Sequence, residues 1–331
     1  MKLLILGGTE FVGRAVTDAA QSRGWQVTVF HRGRHAPPPG TAAVHGDRTD
    51  AATLAALADS TWDVVVDTWA GAPTAVRDAA RLLAGRAGRY VYVSTGSVYA
   101  PPAGPGHTEN SRLVEGSPDA GPVAYGEDKR GGELAVLDAF GEDRTVLARA
   151  GMILGPWENI GRLPWWLTRI ARGGPVLAPG RPDVGLQFID VRDLAEWILH
   201  AAETGLSGPY NLISEPGHTT MGELLDACVR VTGSDAELRW TEPEKILAAG
   251  IAPWTELPIW LPPGELYDAI HCGDVTKVLG AGLRCRPAAR TVADTWAWMR
   301  ELDGPPPLRA PLPGRPVVGL APEKEEALLR G

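Results

Sequence analysis

The regular alternation of short apolar runs with amphipathic segments in the first 150 residues is the feature that most constrains the fold. The run from Leu3 to Leu6 is continuously apolar, as expected for a strand that is covered on both faces. Similar strand-like runs lie at residues 26–30, 41–45, 63–67, 89–93 and 145–148. Helical segments separate most of them, at residues 11–23, 50–58, 74–84 and 124–140. Strands that alternate with helices predict βαβ units, and so an α/β fold of the Rossmann type with a doubly wound parallel sheet.

Composition and charge argue against several classes of protein. The net charge of −8 over 331 residues argues against a general nucleic-acid binder, which needs a basic face. The longest apolar runs are strand-sized, so we expect no membrane span. The three cysteines, Cys228, Cys272 and Cys285, form no C-x-x-C pair, which favours reduced thiols over a disulfide scaffold or a metal site. The four apolar residues after Lys2 are too few for a signal peptide, and we predict a cytoplasmic protein.

A glycine-containing loop joins the first predicted strand to the first predicted helix. A dinucleotide's pyrophosphate binds to backbone N–H groups at a helix N-terminus, where glycines permit close approach and the helix dipole favours negative charge. The spacing departs from G-x-G-x-x-G, because Glu10 stands at the middle position of a G-x-x-G-x-x-G pattern. An ordinary βα turn is the alternative. The predicted cofactor-binding residues of this loop are Gly7, Gly8, Thr9, Glu10, Phe11, Val12 and Gly13.

The residues after the second predicted strand bear on the choice between NAD and NADP. An acidic residue that selects NAD is absent there, and the chain reads His31-Arg32-Gly33-Arg34 instead. Guanidinium groups suit a phosphate, so we predict that His31, Arg32 and Arg34 bind the cofactor and that NADP(H) is preferred, with NAD(H) as the second choice. The alternative is a solvated basic turn. Asp47, after the third strand, is equally suited to accept from an adenine amine and to cap the next turn.

Tyr125 and Lys129 form a candidate acid–base pair. At positions i and i+4 of a helix they are neighbours on one face. A nearby cation favours the tyrosinate form of a phenol, which makes Tyr125 a usable general acid or base.

A hydroxyl cluster follows the fifth predicted strand, at the edge of the sheet where open α/β folds bind ligands. We predict that Thr95 donates to a substrate oxygen while Tyr125 moves the proton, and that Ser97 contacts the substrate. The predicted catalytic residues are therefore Thr95, Tyr125 and Lys129. For the hydroxyls considered alone, the alternative is that they only complete hydrogen bonds at the end of the strand.

These motifs resemble those of the extended short-chain dehydrogenases/reductases, in the NAD-dependent epimerase/dehydratase superfamily. The resemblance covers roughly residues 1–300 and rests on the glycine loop, Asp47, segments 94–99, 149–156 and 188–195, and the Tyr125/Lys129 pair. It implies that Tyr125 is the acid–base, that Lys129 also bonds the nicotinamide ribose, and that the glycine loop holds the pyrophosphate. The hydroxyl that matches the family's motif is that of Thr95.

Three departures make the chain similar to an atypical branch of that family. Glu10 replaces a glycine. Gly96-Ser97 stands where the family's dehydratases carry an Asp-Glu pair, which argues against dehydration. Leu186-Gln187 occupies the stretch where sugar-nucleotide epimerases commonly place an arginine. The atypical branch contains reductases and RNA-associated proteins, so the resemblance implies no particular substrate.

The alternation is lost after about residue 150, where Gly, Pro and Trp become frequent. We therefore predict an NAD(P)-binding Rossmann domain at 1–150 and a smaller, mixed substrate-binding region at 151–303, with the chain crossing back to the sheet. Residues 304–331 contain seven prolines and predict a tail that is extended along the surface or partly disordered.

Candidate substrate contacts lie in a long loop and among the tryptophans. Residues 100–122 are Gly/Pro-rich and without periodicity, which predicts a lid. His107 and Glu109 are candidate substrate contacts there, but we favour a solvated position for both. Nine of the twelve tryptophans follow residue 150, and an aromatic lining would suit a mostly apolar pocket. We predict substrate contacts for Trp157, Trp165 and Trp166, with a core position as the alternative for each.

The combined prediction is an NAD(P)-dependent oxidoreductase that reduces a ketone or oxidises an alcohol on a small metabolite. An epimerase that acts through a transient keto intermediate is the first alternative. A non-catalytic NADP-binding regulator or RNA-associated protein is the alternative of another class. We expect no nucleic-acid or membrane partner, and a homodimer through the helices that contain Tyr125 and residues 74–84, as in many members of the family.

Overall fold

The computed structural model of the protein describes residues 1–309 and 318–330. The chain divides into two compact units, each built from several segments. Unit 1 comprises Met1–Gly151, Val191–Ile213 and Gly273–Arg284. Unit 2 comprises Met152–Asp190, Ser214–Cys272 and Cys285–Gly331. The chain therefore leaves unit 1 after Gly151 and returns to it twice.

Unit 1 contains a seven-stranded sheet in which every neighbouring pair is parallel. Its strands are β1 (Lys2–Leu6), β2 (Gln26–His31), β3 (Ala42–His45), β4 (Trp62–Asp67), β5 (Ala87–Thr95), β6 (Thr145–Ala150) and β11 (Gly208–Leu212). Their order across the sheet is β11-β6-β5-β4-β1-β2-β3. The order reverses direction beside β1, which is the doubly wound arrangement of a Rossmann-type fold. The predicted α/β fold class is confirmed.

Six helices belong to unit 1. They are α1 (Phe11–Ser22), α2 (Ala51–Leu54), α3 (Pro73–Leu83), α4 (Tyr125–Phe140), α6 (Val191–Thr204) and α10 (Thr276–Gly280). Helix α1 packs against α6, and α3 packs against α4. The predicted helix at 50–58 is shorter than expected, because it changes to a 3₁₀ turn at Ala55–Leu57. Asp50 caps its start by accepting the N–H of Ala52 at 2.9 Å.

The apolar periodicity of the sequence matches the core of unit 1. Leu4, Leu6 and Val65 share one buried cluster with Val76 and Leu83 of α3. Because successive strand residues point to opposite faces, Leu3 and Ile5 are buried on the other side of the sheet. Continuous apolar strands are therefore explained by cover on both faces.

Unit 2 has short strands and a helical core. Its strands are β7 (Ile153–Leu154), β8 (Pro175–Pro179), β9 (Gly185–Leu186), β10 (Ile189–Asp190), β12 (Thr219–Thr220) and β13 (Glu237–Thr241). Its helices are α5 (Arg162–Ala171), α7 (Met221–Thr232), α8 (Pro243–Ala248), α9 (Glu265–His271), α11 (Ala288–Arg300) and α12 (Pro322–Arg330). The described strands of unit 2 form two-stranded sheets, as β8 does with β13. The large apolar side chains of α5, α7 and α11 form the core.

The end of the chain differs from the extended tail expected from its prolines. Residues 322–330 form α12, and Glu325 is buried there. The Glu325 carboxylate accepts from Arg169 Nε at 2.6 Å and from the N–H of Leu177 at 2.9 Å. Leu328 and Leu329 pack against the core of unit 2. The prediction for residues 310–317 and 331 falls outside the described residues. Among the helices that the structure describes, none has the length and apolar character needed to cross a membrane.

Candidate active site

The glycine loop of unit 1 brings the start of α1 against the end of β1. A Cβ on Gly13 would lie 2.0 Å from the carbonyl oxygen of Gly7, so only glycine permits this approach. Glu10 stands at the N-cap of α1, but its side chain makes no capping hydrogen bond to the helix. The first N–H groups of a helix have no partner within the helix, and the side chain at the N-cap does not take them. The loop therefore fits a pyrophosphate, which such N–H groups bind.

Glu10 adds a negative charge to this loop. Its carboxylate lies 3.1 Å from Nε2 of His35, and both side chains are exposed. The departure from the family's glycine thus links the glycine loop to the segment that follows β2.

His31, at the end of β2, carries a polar atom that the protein leaves without a partner. Its Nδ1 accepts the N–H of Gly33 at 3.3 Å, so the neutral ring carries its proton on Nε2. That Nε2 is buried and has no hydrogen-bond partner among the described residues. Burial lowers the pKa of His31, and the neighbouring His45 lowers it further. An unpaired buried donor at this edge of the sheet fits a cofactor group.

Asp47 lies near the two arginines that the sequence singles out. Its carboxylate accepts the N–H of Thr49 at 2.9 Å and the Thr49 hydroxyl at 2.7 Å. These two hydrogen bonds lower the pKa of Asp47, and the charges of Arg32 and Arg34 lower it further. Asp47 therefore caps its own turn, and it shares the carboxyl edge of the sheet with both exposed guanidinium groups.

Tyr125 is the first residue of α4, and close packing of that helix determines where it lies. A Cβ on Gly126 would be 2.3 Å from the carbonyl oxygen of Ser97, so glycine allows α4 to begin directly against the end of β5. Tyr125 is half-buried there. The predicted neighbours Tyr125 and Lys129 are thus one turn apart on a helix, as their spacing requires.

Lys129 is only 3% exposed. Its Nζ donates to the carbonyl oxygen of Trp69 and, at 2.7 Å, to that of Val93. The ammonium also lies 4.8 Å from the centre of the Tyr92 ring. The lysine is therefore held between the ends of β4 and β5.

Thr95 and Ser97 form the hydroxyl cluster at the end of β5. Thr95 is buried, and its Oγ1 accepts the N–H of Ser97 at 3.2 Å. The Thr95 hydroxyl lies 3.4 Å from the Ser97 hydroxyl, and Ser97 is exposed. The end of β5 and the start of α4 thus carry a hydroxyl pair, a phenol and an ammonium.

The loop at residues 100–122 is tied to unit 1 more firmly than expected. Glu109, predicted to be solvated, is buried and accepts the N–H of Asn211 at 2.8 Å. Arg149 donates to the carbonyl oxygen of Glu109 at 3.0 Å and pairs with the buried Glu133 at 2.9 Å. The prediction for Glu109 is wrong because a buried polar network of the sheet recruits this part of the loop.

The three predicted tryptophan contacts lie in unit 2 and differ in exposure. Trp166 is fully buried, and its Nε1 donates to the carbonyl oxygen of Pro258 at 2.8 Å. The prediction that Trp166 contacts substrate is therefore wrong, since the core covers its whole surface. Trp165 is partly buried against that core. Trp157 is 38% exposed and packs on Trp298, with ring centres 5.5 Å apart.

Sequence reasoning missed a buried ion pair in unit 1, between Arg48 and Asp67. Asp67 ends β4, at the same edge of the sheet as Thr95, and that position is the one sequence feature that marks it.

Solved structures with the same fold include three sugar-nucleotide epimerases. The UDP-Glc/GlcNAc 4-epimerase of Campylobacter jejuni matches with a TM-score of 0.68 and 16% identity, over 91% of this chain and 99% of that one. The UDP-glucose 4-epimerase of Thermus thermophilus, in complex with NAD, matches with a TM-score of 0.64 and 21% identity, over the same shares. That of Thermotoga maritima, with UDP-glucose, matches with a TM-score of 0.65 and 17% identity, also over 91% and 99%. At these identities the likeness shows a shared fold.

No curated protein matches the chain in sequence. The model of the NAD dependent epimerase/dehydratase family matches residues 3–212, which is more than half of the chain. The predicted superfamily is confirmed. The protein therefore belongs to the NAD-dependent epimerase/dehydratase family and is an enzyme that uses a nicotinamide dinucleotide.

Proposed function

We propose that the protein is an NADP-preferring oxidoreductase that reduces a ketone or oxidises an alcohol on a small metabolite. The observation that carries this proposal is the group at the end of β5 and the start of α4. There a buried ammonium, a half-buried phenol and a hydroxyl pair share one edge of the sheet. Open α/β sheets bind their ligands at this edge.

Each side chain has a role in the proposed reaction. When bound, the nicotinamide would exchange a hydride with the substrate carbon. The hydroxyl of Tyr125 donates its proton to the substrate oxygen during reduction and regains it during oxidation. Lys129 places a cation one helical turn from the phenol and, as the family resemblance implies, bonds the nicotinamide ribose. Thr95 orients the substrate oxygen, and the exposed Ser97 contacts the substrate.

The other end of the cofactor is assigned to the glycine loop and the segment after β2. Residues 7–13 hold the pyrophosphate, with α1 supplying N–H groups. Arg32 and Arg34 bind a 2′-phosphate, which supports the preference for NADP(H) over NAD(H). The unpaired Nε2 of His31 and the carboxylate of Asp47 are the polar groups assigned to the adenosine.

We infer the size of the substrate from two residues of unit 2 that stand where sugar-nucleotide epimerases commonly carry an arginine. Leu186 and Gln187 are buried, and Gln187 Nε2 donates to the carbonyl oxygen of Ser214 at 2.7 Å. These two residues therefore offer no cation to a nucleotide diphosphate, which supports a smaller substrate. The substrate contacts expected from Trp157 and Trp165 stay predictions from the sequence.

An epimerase is the second candidate, favoured by the family and by the 4-epimerases of the same fold. An epimerase must keep its cofactor bound while the keto intermediate is reduced again on its other face. Mass spectrometry of the purified protein separates the candidates. Retained oxidised dinucleotide would support an epimerase, and exchangeable NADPH would support a reductase.

A panel of activated ketones and quinones with NADPH tests the proposed reaction. On any compound that responds, Lys129→Met should weaken NADPH binding and lower turnover together, because one ammonium serves the ribose and the phenol. Thr95→Val should lower turnover with little effect on NADPH affinity. Thr95→Ser is the matched control, since it keeps the hydroxyl that accepts from Ser97. Full activity in both Lys129→Met and Thr95→Val would refute the roles proposed for these two residues.

We also propose that two copies pair through α3 and α4, which pack against each other within the chain. Light scattering at micromolar concentration should give the mass of a dimer. A monomer would contradict this assignment and leave the proposed reaction unaffected.

A further inference from the structure

A buried ion pair in unit 1 has no role in the chemistry assigned above. Arg48 donates through both terminal nitrogens to the two carboxylate oxygens of Asp67, at 2.5 and 2.7 Å. The side chains are 7% and 0% exposed. Removing two charges from water is costly, so a buried ion pair is weak evidence for a role in stability. Its further contacts therefore indicate what it does.

Asp67 connects the pair to the main chain of Trp69. The carboxylate accepts the N–H of Trp69 at 2.9 Å, and it also accepts the Tyr90 hydroxyl at 2.6 Å. Burial alone would raise the pKa of Asp67, but the charge and hydrogen bonds of Arg48 lower it below its usual value. The carboxylate is therefore ionised, and its bond to the Trp69 N–H is a charge-assisted one.

Arg48 holds the same residue from a second direction. Its guanidinium lies 5.0 Å from the centre of the Trp69 ring, and it also donates to the carbonyl oxygen of Ala75 at 3.2 Å. The Trp69 ring is further fixed by its Nε1, which donates to the carbonyl oxygen of Ala72 at 3.0 Å. Backbone and ring of Trp69 are thus both restrained by the ion pair.

The carbonyl oxygen of Trp69 is one of the two that receive the Lys129 ammonium. It also accepts the Tyr92 hydroxyl at 3.3 Å. The second acceptor of Lys129, the carbonyl of Val93, belongs to the regular strand β5. Trp69 lies two residues beyond the end of β4, outside the regular strand. Besides the Tyr92 hydroxyl, the contacts that restrain it are those of the ion pair and of the Ala72 carbonyl.

We propose that Arg48 and Asp67 are positioning residues for Lys129, acting through the backbone and ring of Trp69. This inference rests on the proposed function, since it gives the pair a purpose only where Lys129 takes part in catalysis. The pair acts by geometry, because one positive and one negative charge in contact leave little net field on the ammonium.

The position of Lys129 can be measured without a substrate. The chain has five lysines, and the ammonium signal of Lys129 in ¹⁵N-lysine-labelled protein is identified by its loss in Lys129→Met. In Asp67→Asn we expect this signal to shift or broaden, because the Trp69 N–H loses a charged acceptor. Tyr90→Phe is the matched control. It removes another hydrogen bond from the same carboxylate and should leave the Lys129 signal unchanged.

Kinetics then separate this inference from the proposed function. Turnover of Asp67→Asn should fall about tenfold to a hundredfold, as expected for a misplaced catalytic group, while Tyr90→Phe stays within about twofold of the parent. An Asp67→Asn protein with the parent's Lys129 signal and the turnover of Tyr90→Phe would overturn the inference. Full activity of Lys129→Met would instead refute the proposed function. Should Asp67→Asn fail to fold, Arg48→Lys takes its place with the same two outcomes, since it keeps the charge but loses the fork and the contact with the Trp69 ring.

Discussion

The two ends of the proposed cofactor site in unit 1 are built in opposite ways. At the adenosine end, Arg32 and Arg34 are exposed and follow a strand near the edge of the sheet. At the nicotinamide end, Lys129 is buried and bonded to two carbonyl oxygens, and a buried ion pair stands behind one of them. Solvent surrounds the charges at one end, and fixed protein dipoles surround them at the other.

Because of this difference, the residues proposed to choose between NADPH and NADH are separate from those proposed to catalyse the reaction. Exposed arginines can change with little effect on the fold, because surface substitutions usually alter stability by less than about 0.5 kcal/mol. Buried charged groups are part of the packing, so their removal affects stability and catalysis together. We therefore expect the adenosine end to tolerate substitution and the nicotinamide end to resist it.

The largest expected effect is that of Tyr125→Phe. The substitution keeps the ring and its packing but removes the hydroxyl that moves the proton. Turnover should fall by about 10²–10⁴, the usual contribution of a positioned proton donor, while the Kd for NADPH stays unchanged. Steady-state rates and fluorescence titration measure the two quantities. Tyr267→Phe is the control, since its hydroxyl donates to the carbonyl of Gly185 in unit 2. Full activity of a folded Tyr125→Phe protein would refute the proposed mechanism.

The next largest effect is a difference in stability between two aspartates. Asp67→Asn leaves the buried Arg48 without its counter-charge and should cost about 3–5 kcal/mol of unfolding free energy. Asp47→Asn keeps the acceptor for Thr49 and should cost about 0.5 kcal/mol or less. Urea unfolding at neutral pH measures both.

The same comparison gives a pH dependence. The pKa of Asp67 is lowered in the folded protein, chiefly by Arg48, which outweighs the opposing effect of burial. Its stabilising contribution is therefore complete above its unfolded pKa of about 3.9 and lost as the pH falls through the lower folded value. The difference in unfolding free energy between the parent and Asp67→Asn should therefore disappear in that acidic range. A gap that stays constant with pH would contradict the role of the charge.

Cofactor choice should respond to the exposed arginines. The parent should bind NADPH at least tenfold tighter than NADH, which corresponds to about 1.4 kcal/mol. Replacing Arg32 and Arg34 by Ala should remove that difference and leave the unfolding free energy unchanged. Equal affinities in the parent protein would contradict the preference for NADP(H).

Substitution of Glu10 should have the smallest effect. It should change the affinity for both cofactors rather than the preference between them. Its carboxylate lies beside the proposed pyrophosphate site, which both cofactors share. Glu10→Gln should therefore strengthen NADPH and NADH binding alike, by about twofold to fivefold, in the range of an exposed charge interaction. If Glu10→Gln changed the affinity for NADPH alone, we would assign Glu10 to the 2′-phosphate site instead.

Periodicity and spacing predict the alternation of strands with helices and the position of Tyr125 and Lys129 one turn apart on α4, because both depend on neighbours along the chain. The partnership of Arg48 with Asp67 depends on strand order instead. Residues 19 positions apart meet because the end of β3 and the end of β4 lie at one edge of the same sheet. No local pattern carries that information.

The burial of single side chains also depends on contacts that local sequence does not contain. Trp166 follows Trp165 on α5, and only the packing of that helix decides that Trp166 lies in the core and Trp165 at its margin. Glu109 stands in a Gly/Pro-rich loop, yet the N–H of Asn211, about a hundred positions away, recruits it into the interior.

The most direct test of the proposed function traces the hydride that NADPH transfers to the substrate. NADPH that carries deuterium at C4 is incubated with a responsive ketone, and the product is analysed by mass spectrometry and NMR. We expect deuterium on the carbinol carbon in the parent, and a much slower transfer in Tyr125→Phe at an unchanged Kd for NADPH. Binding of NADPH without transfer of deuterium to any compound of the panel would contradict the proposed oxidoreductase.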